Sequence, residues 1–252
     1  MISPTLPANK HNFYQNRRNS SLQMCRGSQG DYIRKHYHRR FQVEQEYQAY
    51  LALDSVIKNL KGIRRAEVYA VDESRNLINV EFIDGPTLAE DYLKQGVTAL
   101  EARLDGLVSL FYEARKQQVQ FDSDPSNMIY DRRSDTLVLI DPVCEKMDIA
   151  DYSMIVFLWG MVKCFLRAQS YEQAAGFRKF WKNINRKYQK ACHVSHLEMN
   201  RQMCLYIDRV IGWNRTENQN ESLGRRWVRH IFQAPTYRII QLGFKWKWAI
   251  NY

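Results

Sequence analysis

The sequence predicts an α+β chain in two parts, a small antiparallel sheet with one helix followed by a mainly helical C-terminal part. Short apolar runs bounded by polar turns fill the first third of the chain. Longer runs with apolar residues at helical spacing dominate from Thr98 onward. Between them and the C-terminus, a single hairpin-like pattern from Met128 to Ile140 interrupts the helices. The expected divisions are a loose tail over 1–10, a first lobe over 11–84 and a helical lobe over 85–252 that ends in a basic, aromatic tail. A chain of 252 residues with 45% hydrophobic and 25% charged residues can bury such a core, and disorder is not the default.

The elements follow in order. Asn12–Gln15, Leu22–Arg26 and Tyr32–Tyr37 read as a three-stranded meander, with the polar turns NRRNSS and Gly27-Ser28-Gln29-Gly30 between them. Phe41–Leu60 reads as a helix, with apolar residues at Phe41, Val43, Tyr47, Tyr50, Leu51 and Leu53 and no Gly or Pro. Ala66–Val71 and Asn76–Phe82 form two strands around Asp72-Glu73-Ser74-Arg75. The second strand runs into EFIDGPTLAEDYL, where an extended linker would leave backbone groups of Glu81 to Ile83 unpaired. Gly85 allows the turn there, and Thr87 can cap the next helix. Thr98–Val119 is the next helical run, and it leads into FDSDPSNMIYDRRSDTLVLIDP, residues Phe121 to Pro142.

That last stretch holds the densest chemistry. Asp122, Asn127 and Asp141 place two carboxylates and an amide oxygen at the ends of one short hairpin. Mg²⁺ is hard and octahedral, and is held by one or two carboxylates plus substrate phosphates, so Asn127 and Asp141 suit it. The remaining acid, Asp122, can then orient a hydroxyl nucleophile.

The order D-x4-N, hairpin, D resembles the protein-kinase-like superfamily, whose loop commonly reads H-G-D-x-x-P-x-N or H-R-D-x-K-P-x-N. Here the loop is Gln120-Phe121-Asp122-Ser123-Asp124-Pro125-Ser126-Asn127, and Asp141 stands at the family's D-F-G position. The string EFIDGPTL is similar to the family's hinge. The resemblance implies a two-lobed protein-kinase-like fold with ATP and Mg²⁺ in a cleft. It implies Asp122 as the catalytic aspartate that orients the acceptor hydroxyl, Asn127 and Asp141 as metal ligands, and Glu81 and Ile83 as adenine contacts through their backbone. It also implies a strand lysine paired with a helix glutamate. Lys35 fills the first role, with Ile33 on the same strand face and Arg34 as the rival if the register slips; Glu46 fills the second, with Glu44 as the alternative.

The short link from Pro142 to Asp148 is similar to the compact branch of aminoglycoside phosphotransferases, lipopolysaccharide-core kinases and RIO kinases. That branch implies phosphoryl transfer to a hydroxyl of a sugar, a glycolipid or a specialised protein. Departures from the family pattern are the glycine-free turn NRRNSS, Gln120, Asp124 and Pro142-Val143. They keep two alternatives open: a pseudokinase that binds nucleotide for regulation, and a compact bacterial or phage-type protein kinase.

Charge and cysteines bound the setting. Net charge is +10, and Lys163 to the C-terminus holds 17 Lys and Arg against 5 Asp and Glu. Such asymmetry expects an anionic partner at the C-terminal third, a membrane surface, a phosphorylated glycan or lipid, or nucleic acid; the resemblance to lipopolysaccharide-core kinases implies the membrane surface or its glycolipid before nucleic acid. The five cysteines are scattered without CxxC spacing, which fits a reducing compartment. Cys192, His193, His196 and Cys204 match no standard zinc spacing. MISPTLPANKHNF lacks the apolar core of a signal peptide. The apolar run Met154–Val162 is far shorter than a membrane-spanning helix. The expected location is cytoplasmic, peripheral on the inner face of the membrane.

Overall fold

The computed structural model describes residues 20–27, 30–144, 146–167 and 171–216. The expected strand Asn12–Gln15, the loose tail, most of the turn NRRNSS and the basic segment from 217 onward lie outside the described residues. Ser20 and Ser21, expected in that turn, open the first strand.

An antiparallel sheet is built from β1 (Ser20–Gly27), β2 (Gly30–Tyr37), β4 (Val68–Asp72) and β5 (Leu77–Glu81), in the order β1-β2-β5-β4. Successive side chains of a strand point to opposite faces, and β2 obeys this: Ile33, Lys35 and Tyr37 are buried. Arg34 lies on the other face, where it donates to Asn79 Oδ1 at 3.2 Å and Tyr32 Oη at 3.1 Å. The pleat therefore places Lys35, not its neighbour, toward the core. Helix α1 (Arg40–Ile57) crosses that face with Val43, Glu46, Tyr50, Leu53 and Val56 buried, one stripe at spacings of three and four.

Strand β3 (Ile63–Arg65) carries no period that a sequence reading detects, and it falls outside the expected elements. It pairs in parallel with β7 (Thr136–Leu139), which pairs antiparallel with β6 (Met128–Asp131), making a second sheet in the order β3-β7-β6. Its two arginines tie three elements. Arg65 clamps Asp54 of α1 through two bonds of 2.7 and 2.8 Å, and Arg64 reaches Glu81 and Asp131.

The hairpin β6–β7 is the seam between two hydrophobic clusters. Ile129, Val138 and Ile140 face the cluster formed by the first sheet and α1. Met128, Leu137 and Leu139, pointing the opposite way, enter the larger cluster of the helices. The linker after β5 lies along β6, with Tyr130 N donating to Pro86 O at 3.0 Å. A Cβ on Gly85 would overlap Tyr130 O, so glycine serves close backbone approach there.

The helices of the second cluster are α2 (Leu88–Gln95), α3 (Thr98–Glu101), α4 (Leu104–Lys116), α5 (Tyr152–Arg167), α6 (Tyr171–Cys192) and α7 (His196–Thr216). Thr87 caps α2 in a reciprocal capping box with Glu90. Glu90 N donates to Thr87 Oγ1 at 3.1 Å. In return, Thr87 N donates to Glu90 Oε2 at 2.8 Å. The run expected as one helix over Thr98–Val119 breaks at Arg103, whose backbone leaves helical geometry. Its side chain donates to Ala99 O and stacks over the Tyr130 ring at 3.6 Å. Among the described residues no helix is long and apolar enough to cross a membrane.

Candidate active site

The site is built on the seam. Lys35 of β2 and Glu46 of α1 form a buried ion pair, and Lys35 Nζ also lies 3.8 Å from Asp141 Oδ1 and 3.4 Å from Ile140 O. Glu44, the alternative on the same helix, is exposed. Tyr50, one helical turn beyond Glu46, donates to Ile140 O at 2.5 Å. Helix α1 thus holds the lysine with one side chain and the backbone preceding Asp141 with another. Burial alone would lower the Lys35 pKa, but Glu46, Tyr50 and Asp141 outweigh it and hold the ammonium above the ordinary lysine value. Burial raises the Tyr50 hydroxyl, which stays protonated and able to donate. A sequence reading counts Tyr50 only as an apolar position of the helix; its i,i+4 relation to Glu46 is the available signal.

The loop before β6 supplies the other residues. Asp122 N donates to Pro142 O at 3.1 Å, so the loop and the segment after β7 run side by side. Asp122 Oδ1 accepts from Asp124 N at 3.0 Å. Asn127 is buried at the start of β6, and its carbonyl accepts from Ile140 N at 3.0 Å. Asp122, Asn127 and Asp141 are therefore gathered at one end of the hairpin, next to Lys35.

Gln120, Ser123 and Asp124 hold this arrangement. Gln120 donates to Met147 O at 2.7 Å and Ile149 O at 3.1 Å, and accepts from Met147 N at 2.9 Å. Those three bonds anchor the short segment between Asp141 and α5. Ser153 of α5 grips the loop from beneath, accepting from Phe121 N at 3.1 Å, while Ser123 donates to Ser153 O. Asp124 accepts from Ser126 N at 3.0 Å and Ser126 Oγ at 2.7 Å, and forms an ion pair with Lys163 of α5. Ser153 and Lys163 escape a sequence reading, since both lie far along the chain from the loop they hold.

The linker corrects part of the expectation. Glu81 N donates to Glu67 O at 2.8 Å and Phe82 N to Asp31 O at 3.3 Å, so neither N–H is unpaired. The Glu81 carboxylate is occupied by Arg64, at 2.5 and 2.9 Å, because β3 brings that guanidinium beside the end of β5. Ile83 enters no backbone–backbone hydrogen bond among the described residues, and its side chain is buried in the cluster of the first sheet. Ile83 thus keeps both backbone groups out of these bonds, whereas Glu81 has its N–H and its carboxylate taken.

As for metals, no group of three or more His, Cys, Asp or Glu among the described residues is placed to hold an ion, and the Cys192, His193, His196, Cys204 set is not assembled. The donors at the seam, one carboxylate and one amide, fit Mg²⁺ that takes its other ligands from phosphates and water. Asp141 has 21% side-chain exposure, enough to reach such an ion. Cys144 lies close enough to feel Asp122; burial first and that charge second push its thiol up to about 12, so it is a poor nucleophile.

The Asp124 pair has a signature in pH. Burial opposes ionisation, but Lys163 and the Ser126 bonds hold the Asp124 carboxyl below the usual aspartate range. A carboxyl depressed on folding contributes stability in full above its unfolded pKa and loses it as pH falls through the folded value. Thermal unfolding of the wild type and Asp124→Asn, followed from about pH 6 down to about pH 2, will show a stability gap that closes in acid. A gap of constant size would contradict the pairing.

No family model matches the chain, and no curated protein matches it. What the fold defines is a mixed α+β chain whose candidate site lies where two sheets and helix α1 meet.

Proposed function

We propose that the chain is an ATP-dependent phosphotransferase of the protein-kinase-like type, with the first sheet and α1 as one lobe and the helices as the other. The observation that carries this reading is the buried Lys35–Glu46 pair set against Asp141 and gathered with Asp122 and Asn127 at the end of one hairpin. In this reading Lys35, fixed by Glu46, holds the α- and β-phosphates of ATP, and the backbone of Ile83 meets the adenine edge. Asn127 and Asp141 would hold Mg²⁺, which would supply positive charge against that developing on the phosphates. Asp122 orients the acceptor hydroxyl for in-line attack on the γ-phosphorus and takes its proton as the new P–O bond forms and ADP leaves.

The acceptor class is a sugar or glycolipid hydroxyl, such as that of a lipopolysaccharide core. Two features support it. The segment from Pro142 to α5 is short and tied down by Gln120, which leaves no room for a long peptide-docking platform. Helix α6 exposes Arg178, Lys182, Arg186 and Lys190 at intervals of one turn, a basic face suited to an anionic glycolipid or the membrane surface that bears it.

The test is incubation with Mg²⁺ and γ-labelled ATP, with and without bacterial glycolipid, comparing Asp141→Ala. Wild type transfers label and Asp141→Ala loses at least about 100-fold. Transfer that survives Asp141→Ala refutes the site. Nucleotide binding without transfer to glycolipid or protein identifies a regulatory pseudokinase instead, and absence of nucleotide binding sinks the reading.

A further inference from the structure

The geometry points to Arg64 of β3 as a positioning residue for the nucleotide: its guanidinium staples the linker after β5 to the hairpin β6–β7, and so sets where the backbone of Ile83 stands. This deepens the phosphotransferase reading and rests on it. Three observations lead there. Arg64 donates to both oxygens of the Glu81 carboxylate, at 2.5 and 2.9 Å, and to Asp131 Oδ2 at 3.4 Å. Glu81 closes β5 two residues before Ile83, and Asp131 closes β6. The linker is also fixed at its far end, where Pro86 O accepts from Tyr130 N at 3.0 Å and a Cβ on Gly85 would overlap Tyr130 O. Both ends of the linker are therefore tied to the same place, the neighbouring residues Tyr130 and Asp131 of one strand.

The chemistry of the side chain gives this geometry its meaning. A guanidinium presents five N–H donors in a fixed fork, so one arginine can hold two carboxylates at a set distance and angle. Each acid is first anchored on its own element. The Glu81 carboxylate accepts from Glu67 N at 3.1 Å, and Asp131 accepts from Arg133 N at 3.0 Å and Ser134 Oγ at 2.7 Å. Strand β3 is in turn fixed in the second sheet, with Arg64 opposite Val138 of β7. Side-chain exposure is 30% for Arg64, 19% for Glu81 and 15% for Asp131, so this is not the open surface pair that contributes nothing. Without the arginine, Glu81 and Asp131 would repel each other where the two sheets meet. Part of the ordering of the linker would then fall on the nucleotide and weaken its binding.

The experiment compares the affinities of Mg²⁺–ATP and Mg²⁺–tripolyphosphate by calorimetry, in the full-length wild type, Arg64→Gln, Glu81→Gln and the double variant. Tripolyphosphate carries the phosphates without the adenine, so it reads the Lys35 end of the site and not the linker. Hydrogen bonding to the adenine edge is worth about tenfold in affinity. Each single variant is expected to lose that factor for ATP and none for tripolyphosphate. The double variant is expected to lose no more than either single one, because both changes open the same clasp. Equal loss for both ligands, no loss for ATP, or losses that multiply in the double variant overturn the proposal, because Arg64 would then act through its charge, through overall stability or not at all. If Arg64→Gln fails to fold, Glu81→Gln decides by the same comparison, since it keeps an acceptor in place and removes no cation. Wild type that binds tripolyphosphate as tightly as ATP overturns this inference alone. Wild type that binds neither ligand overturns the phosphotransferase reading itself, and this inference with it.

Discussion

Lys35→Met will destabilise the fold by about 3–5 kcal/mol, because it strands the fully buried Glu46 carboxylate without its cation. The loss is read from urea unfolding. A buried ion pair replaced as a unit behaves differently: apolar residues of similar volume often restore stability, since the desolvation of both charges disappears together. The double variant Lys35→Met, Glu46→Leu is therefore expected to recover most of the lost stability. It will not recover nucleotide binding, which needs the ammonium itself. That split separates a site from a structural ion pair. A single variant that loses less than about 1 kcal/mol would show that the carboxylate had found water or another partner. A double variant that binds ATP as tightly as wild type would remove Lys35 from the site.

Asp151→Ala will cost a similar amount, about 3–5 kcal/mol, at the other end of the molecule. Asp151 is fully buried just before α5, where it pairs with Arg115 of α4 and accepts from Tyr188 of α6 at 2.6 Å and Gln202 of α7 at 2.8 Å. Its own N–H donates to Gln202 Oε1 at 2.9 Å. Four helices converge on this carboxylate, and removing it leaves a guanidinium, a hydroxyl and an amide facing an apolar space. Asp151→Asn keeps an acceptor for Tyr188 and should fall between the two. Hydrogen exchange will place the loosening: protection should drop in α6 and α7 and stay in β2 and α1, since the two hydrophobic clusters are largely separate. Uniform loss of protection would mean that the chain unfolds as one unit.

The two predictions bear on residues of different legibility. Lys35 and Glu46 are nominated by their order along the chain in the kinase-like resemblance, with Arg34 and Glu44 as rivals, and the period of two in the strand and nearly four in the helix separates each from its rival once the elements are in place. Lys35 shares its face with Ile33 and Tyr37, and Glu46 shares its stripe with Val43 and Tyr50. The Thr87 cap and the hairpin Met128–Asp131, Thr136–Leu139 are legible for the same reason, since each is decided by residues a few places apart. Asp151 is legible only as a charge beside an apolar run. Its partners lie 36, 37 and 51 residues away, and no local spacing announces them.

The linker shows how a local reading goes astray. Glu81 stands at the end of a strand, where backbone groups are expected to be unpaired. Strand β3, three residues with no periodicity, brings Arg64 against its carboxylate, and the carbonyls of Glu67, between β3 and β4, and of Asp31 in β2 take up the N–H groups of Glu81 and Phe82.

By itself, then, the sequence determined the alternation of a small sheet and long helices, the capped start of α2 and the order of polar residues around the hairpin. These follow from backbone geometry and side-chain period, which act within one element. Only the tertiary structure decided that α1 would touch the backbone before Asp141 through Tyr50, that β3 would join the second sheet, and that Lys163 would answer Asp124. Those pairings join segments whose distance along the chain leaves their approach unconstrained; packing of the two clusters, and the absence of a side chain at Gly85 and Gly160, brings them together.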